Sequence, residues 1–384
     1  MDFLFALRAI AILATLASCA YYLLCLWSAL AFLKERHDSP SPFTPPVSIL
    51  KPLKGTDPEI YESFRSHCLQ EYPEYEIIFG VSDPNDTAIA EVQRLQQEFP
   101  QCAIRMVYCS ENLGANTKVS NLVQMLREAR FEHLLVNDSD IRVQPDYLRR
   151  VLAGLNDPAN GMITCLYRGV AGPTLGSRLE ALGISTDFCA GVLAARQLEG
   201  GVRFGLGSTL AFRRSDLAAI GGFERVVDYL ADDYELGRRI AEQGRKVQVS
   251  DVVVETFLPA YSLGGFLRHQ LRWARGVRDS RRWGYVGLGV TFGLLWALLA
   301  VLLAPAAPWA WGLLAAVLIL RIAVAVVVGS KVLGDRQVVS LIALIPLRDL
   351  IAFSVWLASF VGHTVDWRGT SFYLKNGKLV RIQQ

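Results

Sequence analysis

Carboxylates gather at two places in the middle of this chain, and a cationic and aromatic pair follows them. Asp138-Ser139-Asp140 comes directly after the apolar run 133–136, Asp232-Asp233 heads a helix-like pattern, and Gln270-Leu271-Arg272-Trp273 precedes an apolar C-terminal third. In extended backbone the side chains of 138 and 140 project to the same side, so Asp138 and Asp140 can face one divalent cation or its water shell. Mg2+ or Mn2+ held there would neutralise a departing diphosphate. A solvated turn would show the same pair. Asp232-Asp233 precedes 234–243, where Leu236 and Ile240 fall one turn apart and Gly244 suits a C-cap. Aspartate caps helix N-termini well. With one of the two capping, the other is placed to serve as an ionised general base. Gln270 and Trp273 are helix neighbours. Arg272 can fork onto phosphate oxygens, and Trp273 can pack on a sugar or an acceptor. Interfacial Arg and Trp of a membrane protein would look alike.

Two further groups belong to the donor side. Asp83, in Val81-Ser82-Asp83-Pro84, can accept from a uracil or ribose group, or be a turn aspartate before proline. Lys118 and Asn121 can reach phosphates or sugar, or lie in a loop that leads into a helix. A cation site, a base and an Arg–Trp clamp, in this order, make up the set that sugar transfer from a nucleotide diphosphate requires.

Elements that could position these groups are visible around them. β-rich runs at 47–50, 77–81, 104–108, 134–136, 162–166 and 247–254 alternate with helix-like spacing at 59–69 and 87–99. That alternation predicts an α/β domain over 37–261 with a mostly parallel sheet covered on both faces. Ligands of such sheets sit beyond the carboxyl ends of the strands, and Asp83 and Asp138 both fall just past a strand run.

The flanks are of another kind. Hydrophobic residues make up 52% of the 384, concentrated at the two ends. Residues 9–33 are long enough to span a bilayer and end at Lys34-Glu35-Arg36-His37. Residues 1–36 therefore read as an uncleaved anchor whose basic flank stays cytoplasmic, followed by a Pro-rich linker from Ser39 to Pro46. Residues 262–285 carry arginines at helical spacing opposite Leu263, Phe266, Leu267 and Leu271, the pattern of a basic interfacial helix. Residues 286–363 hold two apolar runs around Pro305 and Pro308. A third, at 338–362, is interrupted by Pro346, Arg348 and Asp349, and either spans fully or is re-entrant. The tail, 364–384, is basic, with Arg368, Lys375, Lys378 and Arg381. The net charge of only +3 gives no field that argues for nucleic acid. Seven cysteines without a C-x-x-C pair fit neither a zinc site nor a disulfide framework, and suit a reducing cytosolic face.

The ordered set Asp83, Asp138, Asp233 and Gln270/Arg272/Trp273 resembles the ceramide glucosyltransferase family, over a likeness that runs from Lys51-Pro52-Leu53 to Trp367-Arg368-Gly369. The resemblance implies a GT-A catalytic domain and a UDP-sugar donor. It implies UDP and metal contacts at Asp83 and Asp138, a catalytic base at Asp233 within Leu230-Ala231-Asp232-Asp233-Tyr234, and inversion at the anomeric carbon. Animal members tend to carry Gly at the position of Asp140. Asp138–Val143 and Thr164–Gly169 look closer to bacterial, hopanoid-associated members. The acceptor is then ceramide, a hopanoid polyol or another membrane lipid alcohol, the donor sugar glucose or N-acetylglucosamine, and the location a bacterial inner membrane with the catalytic domain in the cytoplasm. A processive polysaccharide synthase shares the motif set but needs more membrane helices than these apolar runs provide. A membrane protein that binds a nucleotide sugar without turnover would lack the base or the metal pair, and both are present.

Overall fold

A computed structural model describes residues 3–35, 41–367 and 369–382. Arg36 and His37 of the anchor flank, Ser39 and Pro40 of the linker, and Arg368 of the tail lie outside the described residues. The chain divides into two compact units. One draws on Met1–Glu35, Ala171–Gln197 and Ala260–Asp366, the other on Arg36–Val170, Leu198–Pro259 and Trp367–Gln384. Each is therefore assembled from separate stretches of sequence, and compactness does not follow linear order.

The second unit is built on eight strands: β1 (Val47–Pro52), β2 (Tyr75–Val81), β3 (Ala103–Tyr108), β4 (His133–Val136), β5 (Ile141–Arg142), β6 (Asn160–Val170), β7 (Leu210–Arg213) and β8 (Lys246–Phe257). Their order across the sheet is β3-β2-β1-β4-β7-β6-β8-β5. β1, β2, β3 and β4 run parallel, as do β6 and β8, while β7 and β5 are antiparallel to their neighbours. All six residues of β1 are buried, as a strand covered on both faces requires. One core joins Ile49, Ile77 and Phe79 of the strands to Phe64, Val92 and Leu95 of the helices Ile60–Cys68 and Ala88–Glu98. The mostly parallel α/β sheet expected from the alternation is present. The two antiparallel strands, four and two residues long, were too short to show a period.

The first unit is helical. Among the described residues, Phe3–Lys34, Pro308–Val332 and Ile342–Ser359 are long and apolar enough to cross a membrane. Arg282–Thr291 and Gly293–Leu303 meet at a 50° bend and together pass the same test. Pro346 sits in the first turn of the helix Ile345–Ser359, where its missing N–H costs nothing, so the helix runs on through Arg348 and Asp349. The arginine-rich stretch forms the helix Leu263–Ser280, capped by Ser262, whose hydroxyl accepts from Gly265 N at 3.1 Å. Two of its arginines are committed to backbone. Arg275 donates to Thr364 O (2.6 Å) and Val361 O (2.8 Å), and Arg278 donates to Ser359 O and Gly362 O, so both satisfy carbonyls at and after a helix end.

Candidate active site

β4 delivers Asp138-Ser139-Asp140 at its carboxyl end, and a buried polar network fixes the turn. Asn137 is fully buried and donates to the Tyr147 hydroxyl (2.9 Å) and Ser208 O (2.6 Å). Its Oδ1 lies 3.2 Å from His67 Nε2, while His67 Nδ1 lies 2.9 Å from Ser63 O. Burial first, and then the charge on Lys51, lowers the His67 pKa to about 3, so the ring is neutral and donates to one of these two partners. Ser139 donates to Asp57 Oδ2 at 2.6 Å. Beneath the turn, the Lys51 ammonium is wholly buried and donates to Asp138 O at 3.1 Å. Desolvation lowers its pKa to about 7, against the attraction of Asp140 and Asp138.

Asp138 is the link between the carboxylates: it shares Lys118 with Asp232, faces Asp233 across Gly207, and its charge reaches Asp140. Asp140 accepts from the Thr256 hydroxyl of β8, and burial, followed by the Asp138 charge, raises its pKa to about 6. Asp138 Oδ1 pairs with Lys118 Nζ at 2.7 Å, and Lys118 reaches Asp232 Oδ2 at 3.3 Å. Burial opposes the charge on Lys118, but Asp138, Asp232 and Asp233 outweigh it and raise its pKa. Lys118 lies in the first turn of the helix Thr117–Glu128, not in a loop, and Asn116 caps that helix by accepting from Val119 N. The Asn116 amide also donates to Tyr229 O (2.7 Å) and Asp232 Oδ1 (3.4 Å), tying this helix start to the next one.

Asp233 lies at the start of the helix Asp232–Glu242. Its Oδ2 accepts from Gly207 N at 2.8 Å and its Oδ1 from Tyr234 N at 2.8 Å. Burial, and then the charge of Asp232, raises its pKa to about 6 against the pull of Lys118. It is half-buried, whereas Asp232 is 5% exposed and turned to Lys118. Gly207 separates the carboxylates of Asp138 and Asp233. A Cβ there would come within 2.8 Å of Asp138 Oδ2 and 3.3 Å of Asp233 Oδ2. The loop is pressed still harder onto the helix Asp232–Glu242, because a Cβ on Gly237 would meet Gly205 N at 2.2 Å.

The structure thus brings together Asp138, Asp140, Lys118 and Asp233 of the expected residues. Asp83 is exposed and accepts from Asn85 N at 2.8 Å, a turn bond. Asn121 is 2% exposed and accepts from the Ser82 hydroxyl at 2.9 Å, so it braces the loop after β2. Gln270, Arg272 and Trp273 belong to the helical unit. There Gln270 donates to Glu180 Oε2 and accepts from Arg348, each at 3.0 Å, and Trp273 lies 5.2 Å from the His269 ring. Lys51, Gly207 and the His67–Asn137 pair went unassigned in the sequence. Their signals were a lysine inside a strand run and a Gly205-x-Gly207-Ser208 turn.

The donor set fits a hard divalent cation. It offers carboxylate oxygens on alternate residues, and burial and then the charge of Asp138 raise the pKa of Asp140, a repulsion that a cation between them would relieve. Among the described residues no three His, Cys, Asp or Glu side chains gather into an all-protein cage. Mg2+ characteristically needs only one or two carboxylates and takes its other ligands from phosphates and water.

Residues 10–380 match the profile of glycosyl transferase family 21. The chain belongs to that family. Ceramide glucosyltransferase 1 of Caenorhabditis elegans is 28% identical over 221 residues, 55% of this chain and 45% of the relative. Ceramide glucosyltransferase 3 of the same organism is 26% identical over 239 residues, 60% of this chain and 50% of the relative. The chain spans about half the length of these curated relatives. Among solved structures, the mannosyltransferase PcManGT from Pyrobaculum calidifontis, in complex with GDP-Man and Mn2+, superposes with a TM-score of 0.57 at 24% identity. The match covers 92% of this chain and 98% of that one, and the shared fold is that of GT-A glycosyltransferases. In the family 21 chain the fold places the carboxylate cluster where such sheets bind ligands, past the ends of β1 and β4.

Proposed function

We propose that this family 21 protein transfers a hexose, glucose or N-acetylglucosamine, from a UDP-sugar to a hydroxyl of a membrane lipid, with inversion. Asp233 takes the proton from the lipid hydroxyl as its oxygen attacks the sugar C1. UDP departs from the opposite face. A divalent cation bound at Asp138 and Asp140 supplies charge neutralisation for the diphosphate. Lys118 contributes a fixed positive charge beside Asp138. Asp83 and Asn121 lie on the donor side, and Gln270, Arg272 and Trp273 carry the clamp role that the family resemblance implies. The observation that carries the reading is Asp233 itself: half-buried, held by Gly207 N, with a pKa near 6 that leaves it ionised yet basic at neutral pH. The test is incubation of the purified protein with labelled UDP-glucose or UDP-N-acetylglucosamine and a panel of ceramide, hopanoid polyol and simple lipid alcohols. Label should enter the lipid phase, and excess EDTA should abolish transfer until Mg2+ or Mn2+ is restored. Label that appears only as free sugar, or transfer indifferent to EDTA, contradicts the scheme.

The same reading places the catalytic unit on the cytoplasmic face of a bacterial inner membrane, the side on which Lys34 follows the first helix. The C-terminal hairpin, Thr370–Lys375 and Lys378–Arg381, belongs to that unit: Leu230 N donates to Gly377 O (3.0 Å) and Leu379 N to Asp228 O (2.7 Å). Residues 260–366 therefore leave one side and return to it, and cross an even number of times. We assign the crossings to the bent pair ending at Leu303 and to Pro308–Val332, with Lys331 and Arg336 inside. Ile342–Ser359, which buries Arg348 and Asp349, is then re-entrant. An impermeant thiol reagent applied from outside should label Ala306→Cys and spare Arg336→Cys. The reverse pattern would make the bent pair the re-entrant element.

A further inference from the structure

The helical unit holds a polar cluster of its own. Arg348 is 7% exposed, and its Nη2 donates to Gln270 Oε1 at 3.0 Å and lies 3.8 Å from Asp187 Oδ2. Among the described residues its Nε and Nη1 have no hydrogen-bond partner, and neither has Asp187 Oδ2. A buried guanidinium N–H and a buried carboxylate oxygen left unpaired are costly, so the geometry calls for an occupant. The surrounding groups cannot fill the role. Asp187 Oδ1 is taken by Arg321 Nη2 at 2.5 Å. Arg321 is also consumed by Asp349 (2.9 and 3.0 Å) and by Thr186 O and Oγ1 (3.2 and 3.1 Å). Glu180 is consumed by Gln270 and by His269 Nδ1 at 2.9 Å.

Three further features mark the place. Asp187 lies in the π-helical turn Ile184–Phe188, a conformation concentrated at functional sites. The Arg348 guanidinium rests on Gly183, where a Cβ would come within 2.4 Å of Nη2 and 2.5 Å of Nε. Within the same unit a cavity of about 190 Å³ is walled by Leu294, Val317, Ile322 and Ile345, with Arg321 and Asp349 at its polar end. The walls suit a hydrocarbon chain. Asp187 itself is 34% exposed at the side chain, so the cluster is reachable.

Building on the lipid-transfer reading above, we infer that Arg348 and Asp187 form a recognition site for the uncharged, hydroxyl- or amide-bearing headgroup of the acceptor lipid. Charge decides the class. Glu180, Asp187 and Asp349 at least match Arg321, Arg348 and the His269 ring, so a phosphate would meet no surplus positive charge. A hydroxyl or amide accepts from Arg348 Nε or Nη1 and donates to Asp187 Oδ2, which pairs two of the three unpartnered atoms at once.

The test uses the full-length protein in nanodiscs, without nucleotide. A long-chain N-acyl amino diol should bind, and phosphatidic acid of equal chain length should not. Asp187→Asn should weaken that binding and raise the acceptor KM roughly tenfold, the scale of one hydrogen bond to a charged group, with donor KM unchanged. Gly183→Ala, which keeps every charge but displaces Arg348, should reproduce the effect if Asp187→Asn fails to fold. UDP binding reports that each variant is folded. Equal affinity for phosphatidic acid, or acceptor binding indifferent to both substitutions, overturns the site and leaves ordered water as the occupant. Absence of sugar transfer to any lipid by the parent protein would overturn the lipid-transfer reading instead, and the nucleotide-free binding arm would still decide the site.

Discussion

Asp233→Asn is expected to keep the fold and UDP-sugar binding while cutting turnover roughly a hundredfold or more, the scale of losing a general base. Asparagine keeps one carbonyl oxygen, for Gly207 N or for Tyr234 N, where aspartate uses one oxygen for each. One of the two bonds at the helix start is therefore given up, at a cost of about 1–3 kcal/mol, together with the capacity to take a proton, and UDP-sugar binding reports that the fold is kept. Burial places the Asp233 pKa at about 6, so in the parent protein the group is ionised at neutral pH. Asp232 is poorly placed to substitute, being 5% exposed and engaged by Lys118 and Asn116. Single-turnover kinetics with saturating donor separate the chemical step from binding. Near-normal turnover would remove Asp233 from the mechanism.

The second large effect is expected at a residue without a functional group. Gly207→Ala introduces a Cβ within 2.8 Å of Asp138 Oδ2 and 3.3 Å of Asp233 Oδ2. Both contacts are with the ends of side chains, so the protein can accommodate the methyl by moving them. The melting temperature should change little. Activity should not survive so well, because a displacement of about 1 Å in a catalytic constellation can cost roughly a hundredfold. Loss of stability in proportion to loss of activity would instead make Gly207 a packing residue.

The contrast between these two positions shows what was legible in the sequence. Asp138, Asp140 and Asp233 announce themselves by their order and placement, after a strand run and at the head of a helix pattern, although a turn or an N-cap uses the same residue type. The long buried strands β1, β2 and β8 announce themselves by their runs of branched apolar residues. Gly207 is invisible for the opposite reason, since its role is the absence of a side chain at a contact 69 residues from Asp138. Lys51 lies within a core strand, and only the fold shows that its ammonium ends beneath Asp138. Local spacing likewise could not reveal that Gln270 spends its amide on Glu180 and Arg348, 90 and 78 residues away. Nor could it reveal that the basic tail returns as a hairpin on the 228–230 loop, which leads into the helix Asp232–Glu242. The amphipathic pattern of 262–285 foretold a helix but not that Arg275 and Arg278 are spent on backbone carbonyls.

The central claim is a single in-line displacement in which Asp233 activates a lipid hydroxyl against the face opposite UDP. The anomeric configuration of the glycolipid formed from an α-linked UDP-hexose tests it most directly, read from the coupling of the anomeric proton by NMR. The β-linked product is predicted. An α-linked product would require a double displacement or front-face attack, and would contradict the role assigned to Asp233.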